Sequence, residues 1–153
     1  MTAAAATRRA ALVVVATVAA DQAVKALVRS SIAPGDVVDV APGVHLVHVG
    51  NPGVAFGLFG GGGALVVAVV VIALGALLAF FARHARRPLA WLPTGLLIGG
   101  AAGNLVDRVR IGAVTDFVKL PHWPAFNVAD AAITVGVLLL VYVLEGPPSR
   151  AGR

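Results

Sequence analysis

The sequence predicts an all-α membrane protein: four transmembrane helices with a small extracytoplasmic β element, in a single membrane domain spanning 1–153. Three observations predict it. Of 153 residues, 59% are hydrophobic and 12% charged, far more apolar than soluble domains of this size. The apolar residues gather into four long runs. The lysines and arginines collect in alternate connections between those runs, as membrane orientation requires.

The first run covers about 10–28. Arg8-Arg9, an apolar stretch and Val18-Ala19-Ala20 before Asp21 imitate a cleavable signal peptide. The run is read instead as a span, because an even number of crossings suits the rest of the chain. Residues 30–63 form a β-rich outer loop. In it Val37-Val38-Asp39-Val40 and Val44-His45-Leu46-Val47-His48-Val49 flank the turn signal Ala41-Pro42-Gly43. A small hairpin on the membrane surface follows. His45 and His48, three apart on a strand, point to opposite faces and make a poor ligand pair.

The second run, 64–82, begins after the glycine run 60–63, a flexible lead. The third, 89–106, carries Gly95, Gly99 and Gly103 on one face. Small residues four apart let helices approach closely in lipid, which makes this helix the centre of the bundle. The fourth, 131–144, has 14 residues. At 1.5 Å per residue it reaches only ~21 Å of a ~30 Å hydrocarbon layer. It crosses only if its polar start near Asp130 dips below the headgroups or the bilayer thins.

Orientation follows from basic residues in short loops. Arg8, Arg9, Arg83, Arg86, Arg87, Arg150 and Arg153 fall on one side; Arg29, Arg108, Arg110 and Lys119 fall on the other. The richer side is cytoplasmic, so both termini are inside and both longer loops outside. The net charge of +5 therefore reads as membrane orientation, with no nucleic-acid partner.

Composition also removes chemistries. There is no cysteine, hence no disulfide or thiolate. Ser30, Ser31 and Ser149 lie outside any Gly-x-Ser-x-Gly elbow. The four histidines make no His-Glu-x-x-His pattern. No metal site and no cofactor are expected.

Against that background the acidic residues stand out. Three of seven, Asp107, Asp116 and Asp130, crowd beside apolar runs at the outer face. Carboxylates are costly there and usually functional. Asp21 and Lys25, one turn apart, read as an ion pair, either a structural bridge or support for a site. Asn51 and Gly53 sit in a turn; Asn51 has an amide able to grip a peptide backbone, and Gly53 tolerates unusual dihedrals. Asn104, Asp107 and Arg108 share an outer helix face, with Arg108 placed to neutralise Asp107. Asp116 falls in an outer loop between apolar neighbours, a setting that raises its pKa. Asn127 and Asp130 have capping-box spacing, and a helix N-terminus favours a carboxylate at Asp130. One carboxyl pushed up and another held down is what paired acid–base catalysis needs.

Five clusters occur in order: Asp21-Gln22-Ala23-Val24-Lys25, Asn51-x-Gly53-x-Ala55-Phe56, Gly103-Asn104-x-x-Asp107-Arg108, Val114-x-Asp116-Phe117 and Phe126-Asn127-x-Ala129-Asp130. Together they resemble the lipoprotein signal peptidases (signal peptidase II) over about residues 10–145. The resemblance implies an aspartic endopeptidase with Asp116 and Asp130 catalytic. Asp21, Lys25, Asn51, Gly53, Asn104, Asp107, Arg108 and Asn127 then bind substrate or brace the site. It further implies a multi-pass protein of the cytoplasmic membrane that works at the outer face. The substrate is a prolipoprotein bearing a diacylglyceryl cysteine, cut before that residue, and the inhibitor is of the globomycin type. The segment from Asp116 to Asp130 is short for this family, so the loop closing over substrate is expected to differ. The rival reading is a small proton-coupled transporter using buried carboxylates such as Asp21 beside Lys25. It lacks a matching cluster in the inner half. A purely structural subunit leaves the five clusters unexplained.

Overall fold

The structure, a computed structural model, describes residues 2–52 and 62–145. Gly53, Ala55, Phe56, Arg150 and Arg153 lie outside the described residues. The element order is α1 (Ala3–Ser31), β1 (Val37–Ala41), β2 (Val44–Asn51), α2 (Gly62–His84), α3 (Trp91–Ile111), β3 (Val114–Lys119) and α4 (Val128–Glu145).

Among the described residues, three helices are long and apolar enough to cross a membrane: α1, α2 from Leu65, and α4. Their outward faces carry Leu12, Leu27, Ile72, Leu78 and Leu138, all exposed. Such faces suit a hydrocarbon solvent. α1 opens on a Thr2 cap that accepts from the Ala5 N–H at 3.2 Å. Its buried residues Ala6, Ala10, Thr17, Asp21, Lys25 and Val28 form a stripe at helical spacing. The helix runs unbroken through 18–21.

α3 lies between α1 and α4 and packs on both. Its glycines make this possible. A Cβ at Gly99 would stand 2.7 Å from Thr17 Cβ of α1, and one at Gly100 would stand 2.5 Å from Ala129 O of α4. The sequence marks the α1-facing stripe of Gly95, Gly99 and Gly103. The α4 contact through Gly100 falls off that four-residue period. α2 joins mainly at one end, where Phe81 and Ala85 pack on Ala6 and Ala10 beside Trp91.

α4 starts at Val128, three residues before the expected 131. Asn127 is its cap: Asn127 Oδ1 accepts from the Asp130 N–H at 2.8 Å, and the Asn127 N–H donates to Asp130 Oδ2 at 3.3 Å. The polar start is thus the first helical turn, and the 18 residues reach about 27 Å.

Among the described residues the β element has three strands where a hairpin was expected. β1 and β2 pair antiparallel about Pro42-Gly43, with Gly43 at φ 73. β3 adds to β2 antiparallel, with Val49 opposite Asp116 and Asn51 opposite Val114. Asp116 is therefore on a strand and not in a loop. Gly112 at φ 77 ends α3, and its N–H donates to Arg108 O at 3.1 Å. The chain then enters Val114-Thr115-Asp116-Phe117-Val118, whose β-branched and aromatic residues suit a strand, the first four of them buried. Phe117 packs on Val28 of α1 and on Ile32, which caps that helix. His45 pairs with the exposed Asp39, while His48 Nδ1 meets Ile32 O at 2.8 Å. The two histidines make separate contacts.

Candidate active site

The ends of α1, α3, β3 and α4 converge, and the convergence is polar. At its inner side lies Lys25, fully buried. Its ammonium meets Asp21 Oδ2 at 2.9 Å, Asp107 Oδ2 at 3.2 Å and Asn104 Oδ1 at 2.9 Å. An ammonium has three N–H donors, and all three are used. Arg29, one turn further along α1, stands 3.6 Å from Asp107 Oδ1 and donates to Thr115 Oγ1 at 3.0 Å. Two cations thus face two carboxylates, so the buried group is charge-balanced. That balance is the condition for burying it at all.

Each of these carboxylates also ties one element to another. Asp21 Oδ1 accepts from the Ala129 N–H at 3.0 Å, satisfying an orphan donor in the first turn of α4 from across the bundle. Asp107 Oδ2 accepts from the Thr115 N–H at 2.9 Å, which pins β3 to α3. Gln22 Nε2 donates to Asp107 Oδ1 at 3.1 Å, to Gly103 O at 3.1 Å and to Asp21 Oδ2 at 3.2 Å.

Outside this group sit Asp116 and Asp130, linked by asparagines. Asn127 Nδ2 donates to Asp116 Oδ1 at 2.7 Å and to Asn104 Oδ1 at 3.1 Å. Asn104 Nδ2 donates to Asp130 Oδ1 at 2.8 Å. Asn51 Nδ2, from the end of β2, donates to Asp116 Oδ2 at 2.9 Å. Asp116 is 2% exposed. Burial pushes its pKa above the ordinary carboxylate value, and the charge of Asp130 pushes the same way. The amides of Asn51 and Asn127 oppose that rise. Asp130 is half-buried in the first turn of α4. It borders an apolar cleft of about 380 Å³ lined by Leu120, Trp123, Phe126, Ala131 and Val135.

This constellation can be set beside known proteins. The model of the family described as signal peptidase (SPase) II matches residues 13–144. A lipoprotein signal peptidase of Moorella thermoacetica is 42% identical over 137 residues, covering 88% of this chain and 91% of that protein. The chain belongs to the signal peptidase II family. Another lipoprotein signal peptidase, from Serratia marcescens, is 44% identical over 133 residues, covering 80% of this chain and 76% of its own. A solved bacterial membrane enzyme, determined by the in meso method, superposes with a TM-score of 0.83 at 33% identity. That match covers 88% of this chain and 91% of that one. The protein is thus a membrane-embedded peptidase, and the transporter reading has no support.

Within this signal peptidase II chain, the structure gathers Asp21, Lys25, Asn51, Asn104, Asp107, Asn127, Asp116 and Asp130 into one network. Arg108 stands apart from the role expected of it. It does not pair with Asp107; its Nη1 reaches Asn104 O at 3.4 Å and its buried Nε has no partner. Consecutive helical residues do not face each other, so Asp107 turns to α1 while Arg108 turns away. Three members of the network were not singled out from the sequence: Gln22, Arg29 and Thr115. Arg29 had a visible signal, the four-residue spacing of Asp21, Lys25 and Arg29 along α1.

Proposed function

We propose that this peptidase removes signal peptides from diacylglyceryl-modified prolipoproteins, cutting before the lipidated cysteine, by an aspartic mechanism centred on Asp116 and Asp130. The observation that carries the reading is the asparagine link between these two carboxyls. Asn127 bonds to both, with its side-chain nitrogen on Asp116 and its backbone N–H on Asp130. Asn104 holds Asp130 from a second direction. Two carboxyls in different surroundings divide the acid and base roles. The ionised one takes a proton from water, and the water oxygen attacks the scissile carbonyl. The protonated one donates to the carbonyl oxygen, and a proton then passes to the departing amine. The pair titrates as a unit. Burial of Asp116, which raises its pKa, supports a pair that holds one proton before attack.

Substrate access fits the same arrangement. The apolar cleft beside Asp130 suits the apolar end of a signal peptide or the acyl chains of the modified cysteine. Gly53, outside the described residues, is assigned to substrate binding or support of the site by the family resemblance. In this reading α3 is the fourth span, its 21 residues giving about 32 Å. Both termini are cytoplasmic, the site lies at the outer face of the cytoplasmic membrane, and a globomycin-type cyclic peptide blocks it. The test is incubation of the purified protein with a diacylglyceryl-modified prolipoprotein, followed by mass measurement of both products. Cleavage immediately before the modified cysteine is expected. Cleavage elsewhere, or equal cleavage of the unmodified precursor, would contradict the substrate assignment.

A further inference from the structure

The chemistry above uses two aspartates and leaves the most deeply buried cation without a task. Two of Lys25's three bonds, to Asp21 and Asp107, balance charge. The third goes to the neutral amide of Asn104, a residue 79 positions away, at 2.9 Å. Charge balance does not require that bond.

Its effect is on the polarity of an amide. The oxygen and nitrogen of a carboxamide are close in size, so its surroundings decide which way it faces. Asn104 Oδ1 is held by Lys25 and by Asn127 Nδ2, which leaves Asn104 Nδ2 on Asp130 Oδ1 at 2.8 Å. Reversing the amide would set its NH2 against an ammonium and its oxygen against a carboxylate. The same oxygen anchors Asn127 Nδ2, whose other short bond is to Asp116 at 2.7 Å. With every N–H committed, Lys25 has no proton or contact to offer a substrate.

We propose that Lys25 is a positioning residue. Its ammonium locks the amides of Asn104 and Asn127 so that each presents an N–H to one carboxyl of the reacting pair. This rests on the reading of Asp116 and Asp130 as that pair.

The test is a charge-balanced variant, Asp21→Asn/Lys25→Met. It removes one cation and one anion, and asparagine at 21 still offers an oxygen to the Ala129 N–H. Lys25 acts only on the geometry of the reacting groups, so kcat should fall about 10²-fold. KM should stay within about threefold, because no substrate contact is lost. Asn104→Leu should produce a similar loss. The triple variant should be no more than about threefold slower than Asn104→Leu, because both changes act through one amide. Multiplied losses, or an unchanged kcat in the folded balanced variant, would overturn the proposal. Should that variant fail to fold, Lys25→Met/Asp107→Asn replaces it, since it too removes one cation and one anion and keeps an oxygen for the Thr115 N–H. Full kcat there overturns the proposal. Turnover retained by Asp116→Asn would instead remove the reading of the pair, whereas its loss beside a fully active balanced variant removes only the positioning role of Lys25.

Discussion

Gly103→Ala adds one methyl group at the tightest point between α1 and the site. A Cβ there would stand 2.6 Å from Asp21 Oδ2, 3.2 Å from Asp21 Cγ and 3.5 Å from Ala129 Cβ. The first distance is roughly 1 Å short of the ~3.5–4 Å optimum for nonbonded heavy atoms. Asp21 cannot simply rotate away. Its Oδ2 holds Lys25 at 2.9 Å and its Oδ1 holds the Ala129 N–H at 3.0 Å. Either α1 and α3 separate, an overpacking cost of ~1–3 kcal/mol, or Asp21 moves and leaves Lys25 short of a partner in full burial. Breaking a buried pair costs ~3–5 kcal/mol. A loss of about 3 kcal/mol is therefore expected, with activity falling alongside. Gly75→Ala in α2 is the control, because a Cβ there meets nothing within 4 Å. Relief of a helical glycine should stabilise that variant by ~0.5–1 kcal/mol. Melting curves of both variants in detergent measure the difference. Equal midpoints for Gly103→Ala and the parent protein would refute the account of the α1–α3 contact.

Asp107→Ala should lower stability by ~3–5 kcal/mol, because Lys25 and Arg29 then face one carboxylate and the Thr115 N–H loses its acceptor, while Arg108→Ala should barely move the melting midpoint because no carboxylate depends on it. Asp116→Asn should melt higher than the parent near neutral pH. A carboxyl whose folded pKa is raised contributes stability below its unfolded value of 3.8 and loses it as pH rises through the folded value. The advantage of asparagine should therefore vanish below about pH 3.8, and an advantage that persists there would mean the gain is not electrostatic. Reporters active only outside the cytoplasm should work when fused after Gly43 or Lys119 and fail after Arg86; the reverse pattern would place the site inside.

Much of the site was legible because its signals are short in sequence. Asp21 with Lys25, and Asn127 with Asp130, meet within one helical turn, where spacing dictates contact. The pairing of Lys25 with Asp107 depends on the register of α1 against α3. Glycines set that register through backbone approach, and no local pattern records it. The error over Arg108 came from treating two consecutive helical residues as neighbours in space. β3 was missed because six residues of mixed apolar and polar character, read without the β2 edge they pair with, look like a loop. The early start of α4 was hidden because its first turn is polar. Those polar residues are the cap and the proposed site, so the end of the helix and the proposed chemistry coincide.

The central claim is that Asp116 and Asp130 act together, and single-turnover cleavage by Asp116→Asn and Asp130→Asn tests it most directly. Asparagine keeps the size but offers one acceptor where each carboxyl now accepts on both oxygens, and it cannot exchange the proton. Each variant should insert and fold, and should cleave at least ~10²–10⁴-fold more slowly. A folded variant of either kind that cleaves at close to the parent rate would contradict the account.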